Sequence, residues 1–61
     1  MEILNIKELS EYLKVSTSTI RRLILKKEIP FFKISSQFFF NKESINQWIK
    51  SQMEYQEERS Y

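Results

Sequence analysis

Two short apolar stripes at helical spacing, set close together, constrain this chain more than any other feature. Ile6, Leu9, Tyr12 and Leu13 fall on one face of a first helix, and Ile20, Leu23 and Ile24 on one face of a second. Between the stripes lie Lys14-Val15 and the polar run Ser16-Thr17-Ser18-Thr19. A connection this short leaves no room for another element, so the two helices must pack against each other across a tight turn.

Local signals mark the ends of both helices. Asn5 is placed to cap the first, and Glu8, three residues later, completes a capping box. Ser10 is the small residue that lets the second helix approach closely. Lys14 falls where the turn needs a left-handed backbone, an uncommon place for a residue other than glycine. Ser16 caps the second helix, which runs from Thr17 to Lys26 with Thr17, Ser18 and Thr19 in its first turn. Beyond it, Pro30 biases Ile29 toward an extended backbone. At about 100° per residue, Ser18, Arg22 and Leu25 point away from the apolar stripe, with Arg21 and Thr17 on the flank. The outline is a helix-turn-helix, whose commonest use is reading the DNA major groove.

Downstream, Phe31-Phe32-Lys33-Ile34 and Phe38-Phe39-Phe40 are rich in strand formers. With Ser35-Ser36-Gln37 between them they predict a β-hairpin, or wing, whose turn type is left open because it has no glycine. Phe38 and Phe40 share one side of the strand and Phe39 takes the other. An exposed Phe39 would suit a partner protein, a second copy or a nucleobase; alternatively the domain's own C-terminal helix covers it. Asn41 caps a third helix whose buried face is Ile45, Trp48 and Ile49, with Met53 one turn on. Trp48 is the large apolar anchor of the core. The predicted fold is mainly α with a small β-hairpin: a winged helix-turn-helix of three helices and a two-stranded wing over residues 1–53. Residues 54–61 are expected to form a polar tail that frays. There is no internal repeat and no linker to suggest a second domain.

Size and composition narrow the chemistry. A chain of 61 residues buries only about 60% of the surface its unfolded form exposes, which leaves little space for a catalytic cleft. Cysteine and histidine are both absent, so disulfides, nearly all zinc patterns and the commonest acid–base side chain are excluded. Glu8, Glu11 and Glu28 lie on different elements with no nucleophile or metal ligand beside them, so no enzyme, metal site, cofactor or small-molecule substrate is expected. No apolar run approaches the roughly 20 residues of a membrane span, and the first residues lack the pattern of a signal peptide. Missing cysteines fit a cytoplasmic setting.

The net charge of +2 is unevenly spread. Residues 14–42 hold Lys14, Arg21, Arg22, Lys26, Lys27, Lys33 and Lys42 against Glu28 alone, a net of +6, while the segments on either side are each net −2. A basic centre that coincides with the second helix points to a polyanion-facing surface. Arg22 is the leading candidate for base contact, because a guanidinium can donate two parallel hydrogen bonds to guanine. Arg21, Ser18 and Thr17 are its companions on that helix. Ser16, Thr19, Lys26, Lys27, Lys33, Ser36 and Gln37 are candidates for phosphate contact, which supplies affinity without sequence information.

The chain resembles the excisionase-type helix-turn-helix family, small relatives of the MerR-like winged helix proteins. The resemblance rests on Ile6-Lys7-Glu8-Leu9-Ser10-Glu11-Tyr12-Leu13, Val15-Ser16, Thr19-Ile20-Arg21-Arg22-Leu23-Ile24, Glu28-Ile29-Pro30, Lys33-Ile34, and Ile45 with Trp48-Ile49. It implies binding of double-stranded DNA with the second helix in the major groove and the wing near the backbone or minor groove. It also implies a role as a recombination directionality factor or small transcriptional regulator on a phage, plasmid or other mobile element in bacteria, with an integrase or further copies of itself as partners. The chain departs from the family at Lys27 and at Ser35-Ser36, where glycine is usual, and at Gln37 and Phe39, where basic residues are common. Those last two departures favour a competing reading, a protein-interaction adaptor that uses the aromatic wing.

Overall fold

A computed structural model describes the backbone of residues 1–59 and the side chains of residues 1–53. Ser60 and Tyr61, the end of the expected polar tail, lie outside the described residues, as do the side chains of 54–59. The elements are β1 (Ile3–Asn5), α1 (Ile6–Leu13), α2 (Thr17–Leu25), β2 (Phe32–Ile34), β3 (Gln37–Asn41) and α3 (Lys42–Arg59). The α3 helix thus continues past Met53, where the polar tail was expected to begin. Among the described residues, no helix is long and apolar enough to cross a membrane.

Both helices of the central pair begin on the caps that their sequences predict. Asn5 Oδ1 accepts from the Glu8 amide at 2.7 Å, and Glu8 Oε1 accepts from the Asn5 amide at 2.9 Å. At α2, Ser16 Oγ accepts from the Thr19 amide at 3.1 Å. Ser10 is buried, with its hydroxyl donating to the Lys7 carbonyl at 2.7 Å. Lys14 sits at φ 60°, ψ 44°, the left-handed turn that the short connection requires. The end of α2 also closes through a left-handed residue. Lys27, at φ 56°, returns its amide to the Ile24 carbonyl (3.0 Å), and the Glu28 amide reaches the Leu23 carbonyl (2.9 Å). This is the Schellman closure that glycine usually serves.

The expected two-stranded wing is in fact part of a three-stranded antiparallel sheet in the order β1-β3-β2. The added strand is Ile3–Asn5, whose residues pair with Asn41, Phe40 and Phe39. Leu4 and Phe40 face each other on the core side. The hairpin loop is Ser35-Ser36, with Ile34 paired to Gln37. Both loop residues have positive φ, 48° and 71°, the signature of a type I′ turn, whose twist matches that of the strands it joins.

The core is Leu4, Leu9, Ile20, Ile24, Ile29, Phe40 and Ile45. Ile6, Leu13, Leu23, Phe31, Phe38, Trp48 and Ile49 pack around it half-buried. Trp48 anchors α3 by more than area: its indole N–H donates to the Glu28 carbonyl at 2.9 Å, pinning the residues that follow α2. Asn41 caps α3 by accepting from the Glu43 amide at 2.9 Å.

Two apolar-stripe assignments are corrected. Tyr12 is 41% exposed, because its hydroxyl donates to Asn46 and its ring lies 5.0 Å from the Lys42 ammonium. It therefore bridges α1 to α3 at the surface. Met53 is 55% exposed, at the rim of an apolar groove lined by Leu13, Val15, Leu23, Trp48 and Ile49.

Candidate nucleic-acid interface

The outward face of α2 follows from what the helix buries. Ile20 and Ile24 are buried and Leu23 is half-buried, so Thr17, Ser18, Arg21, Arg22 and Leu25 are left on the exposed side. The start of the helix is open: among the described residues, the hydroxyls of Thr17 and Ser18 have no hydrogen-bond partner. Their amides lie in the first turn, where unpaired N–H groups and the positive end of the helix dipole favour an anion.

Ser16 and Thr19 take a different part. Ser16 Oγ caps the helix and lies 3.0 Å from Thr19 Oγ1, so the two hydroxyls satisfy each other and the backbone. Thr19 is half-buried on the flank that faces α3, beside Leu23 and Trp48. The structure therefore sets Thr19 apart from the outward face.

The other flank of α2 meets the hairpin. A groove of about 340 Å³ runs between them, lined by Arg21, Ser36, Gln37, Phe38, Phe39, the cap residue Asn5 and the first residues of α1, Ile6 and Lys7. It opens where β1 ends, leaving the beginning of β3 without a neighbour on that side. Arg21, Ser36 and Gln37 are thus brought together, and Lys7 joins them. Sequence reasoning missed Lys7 because it counts within the acidic amino-terminal segment. Its place follows only from how α1 sits beside the hairpin tip.

Arg22 lies outside this groove, on the open face of the helix. Among the described residues the ion pair formed is Lys42 to Glu2 at 3.4 Å, so neither Arg21 nor Arg22 is neutralised by a carboxylate there. Lys26 and Lys27 are exposed at the far end of α2. Lys33 leans over the Phe38 ring at 5.5 Å. Since Lys33 and Phe38 are cross-strand partners, its charge lies on the sheet face shared with Phe40. The result is a surface of arginine, lysine, hydroxyl and amide groups, with no cluster of metal-binding side chains among the described residues.

The aromatic residues of the hairpin divide between its faces. Phe31 meets Phe38 edge to face at 5.6 Å beside the core. Phe39 points to the outer face as the alternation requires, but it is half-buried there. Phe32 lies opposite at 6.0 Å between ring centres, and Asn5 flanks it on β1. The third strand that sequence reasoning missed is what shields it.

No curated protein and no solved structure matches the chain significantly. A family model does match, that of the helix-turn-helix domain, over residues 3–53. The match spans both helices of the central pair, the whole sheet and the described side chains of α3, and the chain accordingly belongs to this family of DNA-binding helix-turn-helix domains.

Proposed function

We propose that this chain binds double-stranded DNA with sequence preference, laying α2 in the major groove and the Ser35-Ser36 hairpin tip against the flanking backbone, in the manner of MerR-like winged helix proteins. The observation that carries the reading is the outward face of α2: two exposed arginines with no carboxylate partner among the described residues, next to open hydroxyls and amides. Arg22 reads a base edge. Arg21 and Lys7 approach the backbone at the groove beside Ser36 and Gln37. Lys26, Lys27 and Lys33 add phosphate contacts. This reading gives the chain no catalytic role and no cofactor. A module this small contacts few base pairs, so it works in several copies on repeated sites or beside an integrase. The roles that fit are an excisionase-like directionality factor or a small regulator of a phage or plasmid, acting on DNA in the bacterial cytoplasm.

Fluorescence anisotropy on random duplex DNA across a salt series tests this. With four or five phosphates neutralised, log affinity should fall against log salt with a slope of about −4. Arg22→Ala should weaken binding to a selected sequence by about tenfold or more, since a bidentate arginine–guanine contact discriminates by ~1–3 kcal/mol. A folded wild-type protein that binds no DNA even at low salt would refute the reading.

The adaptor reading keeps one observation in its favour, the apolar outer face of the sheet, where Phe32 and Phe39 stack and Ile34 is 56% exposed. Phe39→Ser should leave the domain folded while reducing cooperative binding or self-association, read by footprinting on repeated sites and by sedimentation. Unchanged cooperativity would remove this face from the account.

A further inference from the structure

Backbone contact by lysine and arginine leaves one residue of the α2 face unexplained. Leu25 is 83% exposed, in the last turn of a helix whose other large apolar side chains are buried or half-buried. A leucine so exposed gains almost nothing from the core. It stands three and four positions after Arg22 and Arg21, so the three side chains are neighbours on the helix surface. Arg21, Ile24, Leu25 and Phe38 line a notch of about 220 Å³ between helix and hairpin. Its floor is apolar, from buried Ile24 and half-buried Phe38, and its rim is cationic.

That combination selects the occupant. A second copy of this chain meeting it through the same α2 face would bring its own cations against the rim, and like charges across an interface are costly. A DNA duplex brings phosphates to the rim. In its major groove, the apolar group that distinguishes one base from the others is the C5-methyl of thymine. We propose that Leu25, backed by Ile24 and Phe38, is a specificity-determining residue that reads thymine by receiving this methyl group. The inference rests on DNA binding through α2 and adds to it the identity of one base.

Deoxyuridine supplies the test, because it keeps the charge and the pairing of thymidine and lacks only the methyl. A duplex enriched from a random pool by the full chain is remade with each thymine in turn replaced by uracil, and affinity is read by anisotropy at fixed salt. At one position uracil should weaken wild-type binding about fourfold, the transfer value of one buried methyl-sized group. Leu25→Ala should bind the thymine and uracil duplexes equally at that position. The inference is overturned if wild type binds but is indifferent to uracil at every position, or if Leu25→Ala keeps the full thymine preference. Failure of wild type to bind any duplex is a separate result and would defeat the DNA reading itself. The uracil scan on wild type is independent of whether any variant folds.

Discussion

Replacing Phe40 by alanine is expected to leave little folded protein at room temperature. Phe40 is fully buried on the central strand, opposite Leu4 on the core side. Truncating a buried phenylalanine costs about 3–5 kcal/mol, part of it lost transfer energy and part the cavity left behind. A domain of this size holds a total of roughly 3–9 kcal/mol, and a single small core rarely supplies more than about 3–5. The substitution therefore consumes most or all of the margin. Circular dichroism with a urea titration checks it. A Phe40→Ala midpoint close to that of wild type would show that the core is not centred on this ring. Phe40→Leu keeps much of the volume and should remain folded, at a smaller cost.

The opposite effect is expected from glycine at the left-handed positions. Lys27, Ser35 and Ser36 all hold positive φ, and a side chain there crowds the following carbonyl, at about 1–2 kcal/mol per residue. Glycine removes that crowding and gives back part of the gain as extra freedom of the unfolded chain. At Ser35, asparagine suits a type I′ turn better still. Lys27→Gly, Ser35→Asn and Ser36→Gly combined should add about 2 kcal/mol. At roughly 4–8 °C per kcal/mol in a domain this small, the melting temperature should rise by about 10 °C or more. Calorimetry decides, and no rise would mean that these turns are not strained. Lys27→Gly carries a second expectation. It removes a cation that complements the carboxyl end of the α2 dipole and is a phosphate candidate, so a more stable triple variant should bind DNA more weakly and with a shallower salt slope.

The parts of the fold carried by local chemistry were legible in the sequence. Asn5, Glu8 and Ser16 cap through bonds three residues long, and the left-handed turn at Lys14 follows from the shortness of the connection. The outward arginines are fixed by the same periodicity that buries Ile20 and Ile24. What escaped depends on distant partners. Ile3–Asn5 is too short to show an alternation, and only Leu4 of the three faces the core; its strand exists because β3 offers it an edge. Tyr12 has the spacing of a core residue, yet Asn46 and Lys42 draw it to the surface. Lys7 joins Arg21, Ser36 and Gln37 in one groove through the position of α1 beside the hairpin tip, which no pattern within α1 encodes.

The pairing of β1 with β3 also dictates an order of events at the ribosome. Ile3–Asn5 leaves the exit tunnel before the other strands of its sheet, but its hydrogen-bonding partners are Phe39, Phe40 and Asn41. The α1–α2 pair can close as soon as both helices have emerged, because it needs only a short loop. The first strand has to wait, unpaired, until the hairpin has been made. The nascent domain therefore presents a helix pair with an unpaired first strand, and the sheet is completed only when Phe40 arrives to cover Leu4.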